Sequence, residues 1–189
     1  MVKHTFFAIT IGLLIFFLYL LQYTGAFKSV PVAVDERGPY TLIAASHTGA
    51  YHKIVEKIEG VEKWAKQNGL SCRLSFGEFL DNPRLSEEGR LRSFGGCLID
   101  PMDLKELSLV EQLKSKLPEG FEIREFPKSK VVVALFSGAP SIGPMKVYPK
   151  AEEFMQNGSL NPTGTVLEIY EIHSQKSVTT TYLWQLRSQ

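Results

Sequence analysis

The spacing of hydrophobic and polar positions divides the chain into one long apolar run and a series of shorter patterned segments. The apolar run comes first, and residues 5–27 carry no charged side chain. A helix rises about 1.5 Å per residue, so this run is long enough to cross the ~30 Å hydrocarbon core of a bilayer. The run predicts an N-terminal membrane anchor over residues 1–27. The charges on either side of the run do not decide which side of the membrane the domain occupies. A cleaved signal peptide is the alternative, which would make the domain secreted or periplasmic, because "TGA" suits a cleavage site.

A folded domain is predicted over residues 40–187, after a turn-rich linker at residues 28–39. The segment "YTLIAASH" has the length and composition of a strand, and residues 51–70 carry apolar side chains at helical spacing. Strands around "CRLSFGEFL" and "RLRSFGGCLI" follow, and then a polar helical segment.

The second half of the domain repeats this order of elements. "SKVVVALF" predicts a strand, and the next helix is expected to be broken or delayed by Pro144 and Pro149. "GTVLEIYEI" and "VTTTYLWQL" predict the two closing strands.

Several matched positions support a duplication. Gly49 in "HTGAY" and Gly138 in "FSGAP" are 89 residues apart, and two copies of "QNG" have the same offset. Glu78 and Glu168 are 90 residues apart. We therefore predict an α+β fold of two β-α-β-β repeats with a pseudo-two-fold antiparallel sheet and both helices on one face. A cleft between the halves is the expected binding site, and each glycine is expected to make a tight turn before its helix.

Composition and charge exclude several classes of function. The net charge of +1 gives no reason to expect a nucleic-acid partner. The four histidines have no metal-binding spacing, so neither a metal nor a cofactor is expected. Cys72 and Cys97 are expected to be buried thiols, and a disulfide stays open for an oxidising compartment.

An ordered set of motifs in residues 40–187 resembles the GyrI-like domain, also known as the effector-binding domain of AraC-type regulators. The motifs are "HTGAY", "FLDNP", Arg92 and Gly96 at the family's spacing, "KVYP", "LEIY" and "TTYLWQL". With the apolar run in front, the chain resembles the membrane-anchored branch that includes an ER-phagy receptor. It ends at Gln189 without that receptor's acidic tail, so the autophagy role is not carried over.

The resemblance implies a fold of two SHS2 repeats with an aromatic-lined cleft that takes lipophilic or cationic small molecules. Alternation along "LEIY" puts Glu168 and Tyr170 on one face, where Glu168 would attract a cation or act as a base. The predicted ligand-binding residues are Glu168 and the aromatic side chains expected around it: Tyr170, Tyr51, Phe79, Tyr148 and Trp184. Glu78 could form a second carboxylate if it faced the same cleft.

Three hypotheses follow for the function. The first is a membrane-anchored domain that binds lipophilic or cationic small molecules, with residues 5–27 in the lipid bilayer. The second is a hydrolase of reactive, cyclopropane-type electrophiles, with Glu168 and Tyr170 as the catalytic residues. Leu80 stands where many members of the family have an aromatic residue, which weighs against a complete hydrolase site. The third is a membrane-bound adaptor for a protein partner.

Overall fold

The computed structural model describes residues 2–174 and 177–187. In that part of the chain the helices are Val2–Thr24 (α1), Ile54–Gln67 (α2), Leu104–Leu113 (α3) and Gly143–Asn157 (α4). The strands are Val32–Arg37 (β1), Tyr40–Thr48 (β2), Leu74–Phe79 (β3), Arg92–Ile99 (β4), Phe121–Phe126 (β5), Ser129–Ser137 (β6), Pro162–Ser174 (β7) and Ser177–Leu186 (β8).

All the strands belong to one antiparallel sheet with the order β1-β6-β8-β7-β3-β4-β2-β5. The first repeat is β2-α2-β3-β4 and the second is β6-α4-β7-β8, and they meet where β3 pairs with β7. Helix α2 packs on β2, β3 and β4, whereas α4 packs mainly on β6. The predicted α+β fold with two repeats and both helices on one face is confirmed.

Two edge strands were not predicted. Strand β1 lies inside the segment that the sequence suggested was a linker, and it pairs with β6 of the second repeat. Strand β5 precedes the second repeat but pairs with β2 of the first. Strand β1 is largely exposed and β5 is partly buried, and charged side chains make up half of each strand, so neither has the clean apolar face that makes a strand recognisable in a sequence.

Helix α4 continues through a proline, contrary to the expected break. Pro144 occupies the first turn, where a backbone N–H has no partner inside the helix. Pro149 lies within the helix and cannot donate to the carbonyl of Met145, four residues earlier. Packing of the apolar side of α4, including the fully buried Val147 and Ala151, offsets that missing hydrogen bond.

The core has parts on both faces of the sheet. One cluster lies beneath α4 and another beneath α2 and α3, and a third is made by strand side chains on the opposite face. Cys72 and Cys97 form a disulfide with their Cα atoms 5.4 Å apart, so the expectation of two free thiols was wrong. Spacing could not decide this pairing, because β3 and β4 first have to bring the two residues together.

The two glycines of the repeated motif are required for different reasons. Gly49 has a φ of +127°, in the region that side chains rarely adopt. A Cβ atom on Gly138 would lie 2.6 Å from the carbonyl oxygen of Thr24, at the end of α1. The first glycine therefore serves the turn itself, whereas the second lets α1 approach the domain.

Candidate functional site

The register of the sheet locates the equivalent positions of the two halves. In the first half, Ala45, Gly95 and Gly77 form one row across β2, β4 and β3. The corresponding row in the second half is Ala134, Tyr182 and Glu168. Gly77 and Glu168 also face each other across the β3–β7 seam, so the pseudo-two-fold axis passes between them.

Glu168 is a buried carboxylate at the centre of this seam, with 4% of its surface exposed. Tyr148 Oη donates to Oε1 at 2.8 Å, and Tyr170 Oη donates to Oε2 at 2.9 Å. In the described part of the chain no lysine or arginine forms an ion pair with it. Burial raises the pKa of Glu168 to about 7, although the two hydroxyl hydrogen bonds act in the opposite direction.

The tyrosines around Glu168 stay protonated at physiological pH. Burial raises the pKa values of Tyr148 and Tyr170, and the nearby Glu168 carboxylate raises them further. Burial likewise raises the pKa of Tyr182. These side chains can therefore serve as hydroxyl donors, but they supply no positive charge that would neutralise the carboxylate.

Aromatic rings form a wall beside the carboxylate. The Tyr148 ring centroid lies 5.6 Å from that of Trp184 and 6.0 Å from that of Tyr182, in edge-to-face geometry. The rings of Tyr182 and Trp184 are stacked, with their centroids 6.1 Å apart. Tyr182 is fully buried and was missing from the predicted set, although its alternation with Trp184 in "YLW" could have placed it on this face.

The two remaining predicted residues, Phe79 and Tyr51, belong to the first half. A Cβ on Gly77 would lie 3.0 Å from the Phe79 ring and 3.5 Å from Tyr170 Oη, so this ring covers Gly77 close to the Tyr170 hydroxyl. The Tyr51 ring centroid is 4.7 Å from that of Phe79. The six predicted ligand-binding residues therefore gather along the seam between α2 and α4.

The loop after β3 is tied to the start of α2. Tyr51 Oη donates to the carbonyl oxygen of Asp81 at 2.7 Å. Arg92 donates through Nε and Nη2 to the Asp81 carboxylate, at 3.0 and 2.8 Å. The side-chain hydrogen bonds from Arg92 lower the pKa of Asp81. Arg92 thus braces the loop, and the Tyr51 hydroxyl is engaged in the same arrangement.

Glu78 does not join the site. It pairs with Leu167 across the seam, and its carboxylate meets Arg124 Nη2 at 3.1 Å. The Arg124 guanidinium in turn lies over the ring of Phe94, 3.8 Å from its centroid. The residue of the first half that is equivalent to Glu168 is Gly77, which precedes Glu78 by one position. Because neighbouring side chains on a strand point to opposite faces, Glu78 lies on the face opposite to the site. The condition for a second carboxylate in the cleft is therefore not met.

The chemistry available at the seam is that of a single desolvated carboxylate among rings. It can attract a cation, or it can accept a proton near neutral pH. His47 lies elsewhere, with Nε2 3.1 Å from the carbonyl oxygen of Ala50. Within residues 2–174 and 177–187, no three histidine, cysteine or acidic side chains are grouped closely enough to hold a metal ion.

No known protein family matches the chain, and no curated protein sequence does either. Solved structures do share its fold. The EcmrR C-terminal domain superposes with a TM-score of 0.61 at 11% identity, over 85% of this chain and 99% of that one. The structure of SAV2435 bound to tetraphenylphosphonium superposes with a TM-score of 0.50 at 12% identity, over 84% of this chain and 94% of that one. An uncharacterized conserved protein from Listeria innocua superposes with a TM-score of 0.50 at 15% identity, over 89% of this chain and 98% of that one. These neighbours fit the GyrI-like, effector-binding fold.

Proposed function

We propose that the chain is a membrane-anchored binding domain for lipophilic cations, with Glu168 as the group that recognises positive charge. Residues 1–27 would be the anchor, and residues 40–187, completed by strand β1, would be the binding domain. The observation that carries the proposal is the buried carboxylate of Glu168, which two tyrosine hydroxyls and no cationic side chain contact among residues 2–174 and 177–187.

A cationic ligand would supply what this carboxylate lacks. Isolating a negative charge from water is unfavourable, and a positive charge within a few ångströms restores much of the lost stabilisation. The neighbouring rings of Tyr148 and Trp184 offer the faces and edges that suit a cation with apolar substituents. Glu168 and the aromatic rings beside it therefore favour a ligand that is both positively charged and lipophilic.

Binding requires the site to open. Tyr148 covers one carboxylate oxygen and packs against Trp184 and Tyr182, so its ring occupies the space next to Glu168. Because Tyr148 lies in the early part of α4, we propose that it swings away when a ligand enters. Tetraphenylphosphonium in SAV2435 is an example of a lipophilic cation bound by a protein with this fold.

The membrane part of the proposal rests on α1. Residues His4–Thr24 form a helix with a mean hydropathy of 2.2, long and apolar enough to cross a bilayer, although a signal sequence near the N-terminus has the same properties. A domain held at a membrane would meet lipophilic cations where they concentrate. Expression with an epitope tag at each end would test the anchor, since cleavage would separate the N-terminal tag from the domain.

The decisive experiment is a thermal-shift titration of the full chain in detergent with tetraphenylphosphonium. Its neutral, uncharged counterpart tetraphenylmethane serves as the control ligand. A cation at 100 times its dissociation constant should stabilise the protein by about 2.7 kcal/mol. Glu168→Gln should abolish the shift. Glu171→Gln, an exposed carboxylate on the same strand, should retain it.

Two other results would redirect the proposal. Equal shifts with the neutral compound, or a full shift in Glu168→Gln, would contradict recognition of charge by Glu168. A protein with no shift for any compound would favour the adaptor hypothesis, in which the tyrosines fill the cleft permanently and the edge strands β1 and β5 bind a protein partner.

Hydrolysis of a reactive electrophile is a second candidate function. The observation that favours it is the pKa of Glu168, which at about 7 suits a general base at neutral pH. Tyr170 would then orient the attacking water or the leaving group. Turnover of a cyclopropane-containing electrophile that is lost in both Glu168→Gln and Tyr170→Phe would support this function. Binding without turnover would exclude it for that substrate.

A further inference from the structure

The carboxyl end of α1 is built into the domain. The backbone N–H of Ala139 donates to the carbonyl oxygen of Thr24 at 3.1 Å. The absence of a side chain on Gly138 makes room for that carbonyl. Just beyond the helix, Val30 is 7% exposed and belongs to the core cluster beneath α4. The predicted anchor is therefore not joined to the domain by a free tether.

Lys146 completes this contact from α4. Its ammonium group donates to the carbonyl oxygens of Ala26 and Lys28, and it lies 3.4 Å from that of Gly25. These carbonyls belong to residues 25–28, which directly follow α1, and a lysine ammonium with three N–H groups can donate to several such acceptors at once. Lys146 therefore ties α4 to the segment that directly follows α1.

The same turn of α4 also carries the tyrosine that covers Glu168. Lys146 and Tyr148 lie on either side of Val147, which is fully buried. A Cβ on Gly143, at the start of the turn, would run into Tyr182 Oη, so the turn lies directly against that ring. Pro149 follows and removes the hydrogen bond that would join its position to Met145. The turn from Gly143 to Tyr148 is thus less firmly joined to the rest of α4.

We propose that Lys146 is a positioning residue for the Glu168 site, because it holds the start of α4 against the segment that follows α1 and keeps Tyr148 over the carboxylate. Opening the site then requires Lys146 to release or shift the end of α1. By linkage, a change at the end of α1 alters the affinity of the site, and a bound ligand loosens the α1 contact. The effect on affinity rests on the proposed function, whereas the effect on Tyr148 does not.

Trp184 can report on the position of Tyr148. It is 5% exposed and packs against the Tyr148 ring, so removal of that ring would open it to a quencher. The chain has two tryptophans, and Trp64 lies in the other half, against Phe121. In a Trp64→Phe background, acrylamide quenching of the full chain in detergent therefore measures Trp184 alone.

The test compares Lys146→Met with Lys150→Met, a change of an exposed lysine on the same helix. Loss of a charge-assisted hydrogen bond typically changes a local equilibrium by about tenfold. We expect Lys146→Met to raise the open fraction by about that factor and to increase the quenching of Trp184. Lys150→Met should leave the quenching at the parent value, and Lys146→Arg, which keeps the charge, should restore most of the protection.

Ligand affinity gives a second measurement that a purely structural role would not change in the same direction. If Lys146 holds the site closed, Lys146→Met should bind tetraphenylphosphonium up to about tenfold more tightly, because less opening is required. Unchanged quenching of Trp184 in Lys146→Met would overturn the positioning role. Increased quenching without any cation binding in the parent would support the positioning role and contradict only the proposed function.

Discussion

The two halves of the domain share a backbone but differ in what lies beneath their helices. In the first half, Gly95 and Gly77 leave space, and Ile54 and Ile58 of α2 press against Gly95. In the second half, the equivalent positions hold Tyr182 and Glu168, and Tyr148 of α4 binds the carboxylate. One helix thus packs through aliphatic contacts, whereas the other covers a polar network.

The contrast teaches that the two repeats share a fold, while only the second places a desolvated carboxylate beneath its helix. A buried carboxylate without a cation is unfavourable for folding, and aliphatic packing of the kind seen under α2 would be more stable. The second half holds the buried carboxylate on which the proposed binding depends, and the first half has aliphatic packing at the equivalent positions.

The largest expected effect comes from placing a second carboxylate in the first half, at the position equivalent to Glu168. Gly77→Asp would place a second carboxylate directly opposite Glu168, in a space that Phe79 already borders. An unpaired buried charge costs about 3–5 kcal/mol of unfolding free energy, and repulsion from Glu168 adds to it. Chemical denaturation at pH 8 would measure this loss. Gly77→Ala, the steric control, should cost much less, and equal losses for both variants would show that crowding dominates.

Removing the charge from the second half should stabilise the protein at high pH. The pKa of Glu168 is about 7 in the folded state and near 4.5 when unfolded, so the folded protein holds its proton to higher pH. This group's contribution to stability is therefore greatest below pH 4.5 and falls as pH rises towards 7, by about 3 kcal/mol in all. Glu168→Gln should remove that decline, which thermal unfolding at pH 5 and pH 8 would detect as a gain at pH 8 alone. A similar gain at both pH values would contradict a raised pKa.

A smaller effect is expected when one hydroxyl is removed from the network. Phe79 is the first-half equivalent of Tyr170, so Tyr170→Phe makes the two halves identical at that position. The loss of a hydrogen bond to a charged group should cost about 1.5–3 kcal/mol at pH 8, and less at pH 5, where Glu168 is protonated. Denaturant titrations at both pH values would test this. Tyr51→Phe loses a hydrogen bond to a backbone carbonyl instead, and its cost should not change between these pH values.

The smallest effect is expected on the opposite face of the sheet. Glu78→Gln breaks the ion pair with Arg124, whose side chain is 33% exposed, so the loss of stability should be about 1 kcal/mol or less. Because Glu78 points away from the seam, binding of tetraphenylphosphonium should not change. Isothermal titration of this variant beside Glu168→Gln would compare the two carboxylates directly. A large loss of binding in Glu78→Gln would contradict the separation of the two faces.

Much of this organisation could be predicted from the sequence, because it depends on local periodicity. Alternation in β7 puts Glu168 and Tyr170 on one face, and the matched motifs around Gly49 and Gly138 indicate the duplication. The long apolar run predicts α1 by length alone. These features need only the geometry of one helix or one strand.

Other features depended on which segments pair in space. The sequence aligned Glu168 with Glu78, but the register of β3 against β7 makes Gly77 its equivalent. Pairing of distant strands also brought Cys72 to Cys97 and recruited β1, and the docking of α1 placed its end beside Lys146.

Local sequence patterns were enough to give the class of each element within the two repeats and the face that each side chain occupies on its own strand or helix. The tertiary structure decided which carboxylate is buried and which one finds an arginine, because burial and charge pairing depend on neighbours that are far apart along the chain. A one-residue difference in register is nearly invisible in the hydrophobic pattern, yet it separates a desolvated acid from a paired one.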